Sequence, residues 1–280
     1  YAGKGIAQGA LGKVGRDWFG IYALRGKILN VRKSSPSVIA KNAVITDIVR
    51  ALGLRYDVDY TKDLNFKALP YGKLMIMTDA DVDGIHISGL LQNVIHALFP
   101  SILYRDEPYI YSMQTPIVRV ILKSSDLIFY DEQKYREYVT NHNRRTPDKP
   151  IKKMYYKGLG SSEDAEIAET FGQKVIEFVN DDDTSASMTK LFHGKHADAR
   201  KTWMAEHSPT DSGIDLGNQP TVEVSMTDFL EKEMIKFSID DCKRSIPGLM
   251  DGFKESQRKV MYAVFLRKLN FSKTKLKGAQ

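Results

Sequence analysis

Residues 73–100 leave the chain little choice of local structure. The run LMIM at 74–77 is four consecutive apolar residues, as expected of a strand buried on both faces of a parallel sheet. It is followed at once by TDADVDG at 78–84. Then Ile85, Ile87, Leu90, Leu91, Val94, Ile95, Leu98 and Phe99 recur at helical spacing until Pro100 stops the pattern. A strand, an acidic turn and a helix in that order belong to an α/β architecture, whose ligands bind beyond the carboxyl ends of the strands. Asp79, Asp81 and Asp83 stand two apart, so in an extended segment their side chains point to one side. Three like charges gathered there repel unless cations or basic groups neutralise them. Oxygen-only donors suit Mg²⁺, with Mn²⁺ or Ca²⁺ as possible substitutes. An EF-hand does not fit, because its twelfth position, counted from Asp79, is Leu90 rather than Glu, and a strand precedes the turn. The plainer alternative is a solvated turn that caps the following helix, since turns use Asp freely.

The remainder alternates in the same way. Residues 35–53 read as a helix, with Ser35 as cap, Pro36 in the first turn, Ile45, Ile48, Val49 and Leu52 on one face and Gly53 at the end. Strands are expected at 116–122, 126–130, 152–157 and 174–179, and helices at 131–141, 161–172 and 184–206. Residues 208–221, SPTDSGIDLGNQPT, lose the apolar period and have linker composition, so a domain boundary is expected there. Helices at 227–242 and 255–269, joined by SIPGLMDGF, follow it. Trp18 and Phe19 are expected in the interior of the first domain, and Met75 and Met77 as core filling of the strand.

Composition excludes more than it assigns. Lys and Arg exceed Asp and Glu by 41 − 35 = 6, an excess that permits nucleic-acid binding without arguing for it. Cys242 is the single cysteine, so neither an internal disulfide nor a C-x-x-C metal site can form. The apolar runs are far shorter than the roughly 20 residues of a membrane helix. The glycine-rich N-terminal stretch is not a signal peptide. It fails the dinucleotide pattern at Gln8 and the P-loop pattern at Val14.

Four blocks carry a resemblance. They are VGRDWFGIYALRGKILNVR at 14–32, KLMIMTDADVDGIHISGLLQN at 73–93, YYKGLGSS at 155–162 and KRSIPGLMDGFKESQRKVMYAVF at 243–265. In order and spacing they resemble the type IIA DNA topoisomerases, specifically the single-chain eukaryotic and large-virus kind. The resemblance implies an α/β fold: a TOPRIM domain, Rossmann-like, with a mostly parallel sheet flanked by helices, followed by the helical start of a winged-helix domain. It implies residues 1–207 as TOPRIM with a family-specific tail, 208–221 as linker and 222–280 as the first part of the winged helix. It further implies an internal fragment of an ATP-dependent enzyme that cleaves, passes and religates double-stranded DNA. In that enzyme Asp79, Asp81 and Asp83 hold Mg²⁺ beside the scissile phosphate. The nucleophilic tyrosine is expected beyond Gln280, and the ATP module and a Glu-Gly-Asp-Ser segment before Tyr1. A nuclear location and a homodimer are implied for the full-length protein. Ala23 replaces the family's usual Pro, and Ile85 its usual Ser. Arg55-Tyr56 imitates the pair that marks the nucleophile but precedes the acidic motif, so it is a decoy.

The same resemblance turns basic segments into expected DNA contacts. On residue type alone Arg25, Lys27, Asn30 and Arg32 form an ordinary solvated loop around Gly26; the resemblance makes them phosphate contacts. Lys157 and Gly158 follow a strand, and with Gly160 and Ser161 could turn backbone N–H groups toward an anion. Lys254, Arg258 and Lys259 open a helix whose other face holds Val260, Met261, Val264 and Phe265. His86 follows the triplet closely and serves either phosphate or helix packing. Binding through such contacts is salt-sensitive and nearly sequence-independent. Two other readings remain: a different TOPRIM nuclease or primase that acts without a tyrosine, and a catalytically silent DNA- or protein-binding module.

Overall fold

The computed structural model describes residues 18–123, 125–146, 149–156, 164–207 and 213–269. They divide into two compact units, Tyr1–Ile235 and Lys236–Gln280.

In the first unit a four-stranded sheet runs in the order β1-β2-β6-β7, from β1 (Leu74–Met77), β2 (Ile110–Met113), β6 (Val175–Val179) and β7 (Thr221–Ser225). The β1–β2 and β6–β7 pairs are parallel and β2–β6 is antiparallel, with Leu74 opposite Ile110, Ile110 opposite Phe178 and Val175 opposite Thr221. The sheet is therefore mostly parallel, as expected. A second, antiparallel sheet orders β4 (Leu127–Phe129), β3 (Val118–Val120) and β5 (Lys153–Tyr155) as β4-β3-β5. Among the described strands β1 is at the end of this sheet; of its four residues only Ile76 is fully buried and Met75 is 37% exposed, so the strand is not covered on both faces.

The helices are α1 (Pro36–Lys41), α2 (Ala43–Leu52), α3 (Asp63–Lys67), α4 (Val82–Leu98), α5 (Glu132–Arg145), α6 (Asp164–Thr170), α7 (Thr184–Phe192), α8 (Ala197–Glu206), α9 (Met226–Asp228), α10 (Met234–Ser245) and α11 (Glu255–Leu266). The helix expected over 35–53 is two helices. Asn42 stays extended and its side chain accepts the Ile45 N–H, so it starts α2 instead of continuing α1. Gly53 ends α2 in the left-handed region at φ 68, where a Cβ would also strike Pro70. The span expected at 184–206 also breaks, at a 3-10 turn over Gly194–His196, into α7 and α8. Helix α4 carries the core: Leu90, Leu91, Val94 and Ile95 are buried in one cluster with Ile76, Ile110, Ile176 and Phe178 of the sheet. Trp18 is 81% exposed and Phe19 37%, against the interior position expected of both; Phe19 meets Phe171 edge-on at 5.9 Å between ring centres.

The structure also moves the boundary. Residues 221–225, placed by composition at the end of the 208–221 linker and just past it, form β7 inside the first sheet. The preceding stretch is tied down as well. Lys174, 6% exposed, donates to the carbonyls of Leu216, Gly217 and Gln219, while Lys134 donates to Gly217 and pairs with Asp215 at 3.0 Å. Polar composition hid a segment held by the buried Lys174 and the half-buried Lys134 together with the core residue Leu216. Beyond β7, α9 passes through a π-helical turn at Phe229–Glu233 into α10, and the division between units falls at Ile235/Lys236.

Replacing Lys174 by Met leaves buried carbonyls without a donor. The variant is expected to lose about 1–3 kcal/mol of stability in urea titration, with hydrogen exchange accelerated over 214–219. Unchanged exchange there would show that the lysine is not what fixes the segment.

Candidate metal and nucleic-acid site

Helix α4 begins inside the acidic triplet. Asp81 keeps an extended backbone at φ −97 and ψ 173, and its Oδ1 accepts the Gly84 N–H at 2.8 Å as the helix N-cap. Asp79 lies in the exposed loop after β1, and Asp83 in the first helical turn, where the helix dipole favours a negative charge. The three carboxylates therefore do not line one side of an extended segment, because the third residue has already turned into the helix. Gly84 locks this arrangement: a Cβ at that position would lie 2.1 Å from the Asp79 carbonyl oxygen. The loop backbone and the helix start thus pack against each other, which holds Asp79 and Asp81 in fixed relation.

The basic segment expected at 25–32 meets this turn. Lys27 Nζ lies 2.9 Å from Asp83 Oδ1, with both side chains more than one-third exposed. Gly26, at φ 85, sits just before it, and Arg25 is exposed. Asn30 and Arg32 do something else. Asn30 Nδ2 donates to the Phe192 carbonyl at 2.8 Å, and its Oδ1 accepts from Arg32 N and Asn93 Nδ2, each at 3.2 Å. Arg32 Nε donates to Asn93 Oδ1 at 2.8 Å and Nη2 reaches His96 Nδ1 at 2.6 Å. Burial lowers the pKa of Arg32. His96 is lowered too, first by burial and then by the Arg32 charge. An arginine can only donate, so His96 Nδ1 is the acceptor and the ring is neutral. The expected phosphate contacts Asn30 and Arg32 are thus turned inward to anchor their segment on α4. Asn93 and His96 were not foreseen from the sequence; the signal was two polar residues, three apart, on either side of the buried Val94 and Ile95.

His86 is half-buried on the second turn of α4. Lys157 and Gly158 lie outside the described residues. In the second unit, Lys254 is the exposed N-cap residue of α11. Arg258 grips Asp251 with two bonds, at 2.6 and 2.8 Å, and also donates to the Phe253 carbonyl. That fork holds the Asp251 carboxyl down at about 2. Gly248 allows the closeness, since a Cβ there would stand 2.7 Å from Arg258 Nη2. Lys259 pairs with Glu255 one turn earlier. Arg258 therefore organises the SIPGLMDGF turn, while Lys254 and Lys259 lie at the surface.

Carboxylate oxygens are the donors a hard divalent cation prefers. Among the described residues no group of three or more His, Cys, Asp or Glu is placed to hold a metal ion. Asp79, exposed in the loop, and Asp81, the helix N-cap, are the oxygen donors at this end of β1; Asp83 is engaged with Lys27.

The chain matches the Toprim domain family over residues 4–111 and the C-terminal associated domain of TOPRIM over 113–242. It is 39% identical over 280 residues to DNA topoisomerase 2 of Invertebrate iridescent virus 6, covering 94% of this chain and 24% of the relative. DNA topoisomerase 2-alpha of Homo sapiens is also 39% identical, covering 94% of this chain and 18% of the relative. The crystal structure of the Plasmodium falciparum topoisomerase II DNA-binding, cleavage and re-ligation domain superposes with a TM-score of 0.80 at 37% identity, covering 95% of this chain and 36% of that one. The chain spans only 24% and 18% of the lengths of these two curated relatives. The associated-domain match runs through residue 242, past β7 and into α10.

Two outcomes follow from the geometry. Gly84→Ala is expected to cost about 1–3 kcal/mol in urea unfolding, because the methyl group must displace backbone. His96 has a folded pKa below its ordinary value of 6.5, so the unfolded chain binds the extra proton as pH falls. Its contribution is present above that value and lost on acidification. The urea midpoint should drop between about pH 7.5 and about pH 5.5, and drop less in His96→Gln.

Proposed function

Because the chain belongs to the DNA topoisomerase 2 family, through a Toprim domain followed by its associated C-terminal domain, we propose that it is the metal- and DNA-binding part of an enzyme that changes DNA topology. The full-length protein cleaves both strands of a duplex transiently, passes a second duplex and religates. The reading rests most on one observation: an acidic turn at the carboxyl end of β1, closed by the Asp81–Gly84 hydrogen bond and met at Asp83 by a lysine from the LRGK segment.

Asp79 and Asp81 are the residues that would hold Mg²⁺, with Mn²⁺ or Ca²⁺ as substitutes. Such a cation supplies positive charge against the negative charge that grows on the leaving oxygen and phosphate during phosphoryl transfer. Asp81 orients its carboxylate through the Gly84 amide, and Gly84 fixes Asp79. Lys27 and Arg25 attract the DNA backbone, and Lys254 and Lys259 do the same on the second unit. Asn30 and Arg32 contribute by anchoring the segment that carries Arg25 and Lys27. His86, Lys157 and Gly158 are further proposed contacts, and Arg258 serves by shaping the turn before α11. The nucleophilic tyrosine and the ATP-hydrolysing module belong to other parts of the full-length enzyme, which acts as a nuclear homodimer. A tyrosyl phosphodiester conserves the energy of the broken bond, so resealing needs no ligase.

Anisotropy of a fluorescent duplex tests the reading. Mg²⁺ should tighten binding by the 280-residue chain, and the stimulation should vanish in Asp79→Asn/Asp81→Asn. Affinity should fall steeply with salt and vary little with sequence. A double variant that keeps the full metal response would show that these carboxylates are not the cation site. Mg²⁺-dependent nicking by the chain itself would favour a nuclease.

A further inference from the structure

The three aspartates do not share one task. We propose that Asp83 is a positioning residue that holds Lys27 for a DNA phosphate and is not a ligand of the cation; the proposal rests on the site reading above. Asp83 lies on the first turn of α4 rather than in the loop, so the helix dipole already stabilises its charge without a metal. Its Oδ1 is 2.9 Å from Lys27 Nζ. The side chains are 39% and 37% exposed, which leaves the ammonium open to an incoming phosphate. An ion pair this wet contributes little stability, so Lys27 can transfer from carboxylate to phosphate at small cost. A lysine is a compact point charge on a flexible stem, and a fixed counter-charge is what keeps its head at one place before DNA arrives.

Placement supports the same division. Arg32 and Asn30 fasten the far end of the segment to α4 through Asn93 and His96 and to α7 through the Phe192 carbonyl, and at the near end Lys27 reaches Asp83 of α4. These ties bring the LRGK segment alongside the acidic turn.

Reductive methylation of Lys27, read by mass spectrometry on the 280-residue chain, reports the pair directly. Methylation should rise several-fold in Asp83→Asn and return toward the parent rate in Asp83→Glu. Duplex DNA should protect Lys27 in the parent and protect it less in Asp83→Asn, although that variant is more positive and would otherwise bind DNA more tightly. Mn²⁺ affinity, followed by electron paramagnetic resonance, should change by no more than about twofold in Asp83→Asn, the size of a lost surface ion pair. It should weaken by roughly tenfold or more in Asp79→Asn, as loss of a metal-site group does. Three results would overturn the proposal: equal loss of Mn²⁺ binding in both variants, Mn²⁺ alone raising Lys27 methylation to the Asp83→Asn level, or undiminished DNA protection in Asp83→Asn. Failure of the parent chain to bind Mn²⁺ would sink the cation reading instead, while the labelling would still decide the role of the pair.

Discussion

The hydrogen bond from the Gly84 amide to the Asp81 carboxylate starts α4 inside the acidic turn, before the apolar period at Ile85 begins. Everything around the site follows from that placement. It separates Asp83 from the loop carboxylates and sends it to Lys27. It presses the Asp79 backbone against a residue that can only be glycine. The cap fixes the Asp81 carboxylate on the start of α4 as part of folding.

The same helix reaches the rest of the molecule through two kinds of contact. Its apolar face joins the sheet, with Val94 and Ile95 fully buried. Its polar residues Asn93 and His96 take the guanidinium of Arg32, a group that burial makes costly unless its donors are met. An arginine that sequence alone offers to DNA is therefore a structural tie, and the lysine five residues earlier takes the exposed position. Arg258 repeats the lesson in the second unit, where its fork to Asp251 shapes a turn. Basic residue type marks these segments; the local acceptor decides which member faces outward.

Much of the architecture was legible. The LMIM run, the apolar period of α4 and the four motif blocks led to an α/β TOPRIM fold, and the family matches agree. What escaped has physical causes. Strand β2, at 110–113, carries the buried Ser112 and lacks a clean apolar run, yet it is the interior strand between β1 and β6. Strand β7 followed a polar stretch that Lys174 pins by hydrogen bonds, so composition placed a boundary ahead of its structural position. Asn42 and Asp81 shifted helix starts because short polar side chains cap as readily as they interrupt. For the site, spacing identified the three aspartates but not their separation, since a period of two holds only while the chain stays extended.

Crystals of the 280-residue chain grown with Mn²⁺ and measured at the manganese absorption edge give the most direct test. The anomalous difference map should show a peak bound by Asp79 and Asp81, with Asp83 still paired to Lys27. A peak ligated by Asp83, or manganese bound only away from the end of β1, would contradict the site described here.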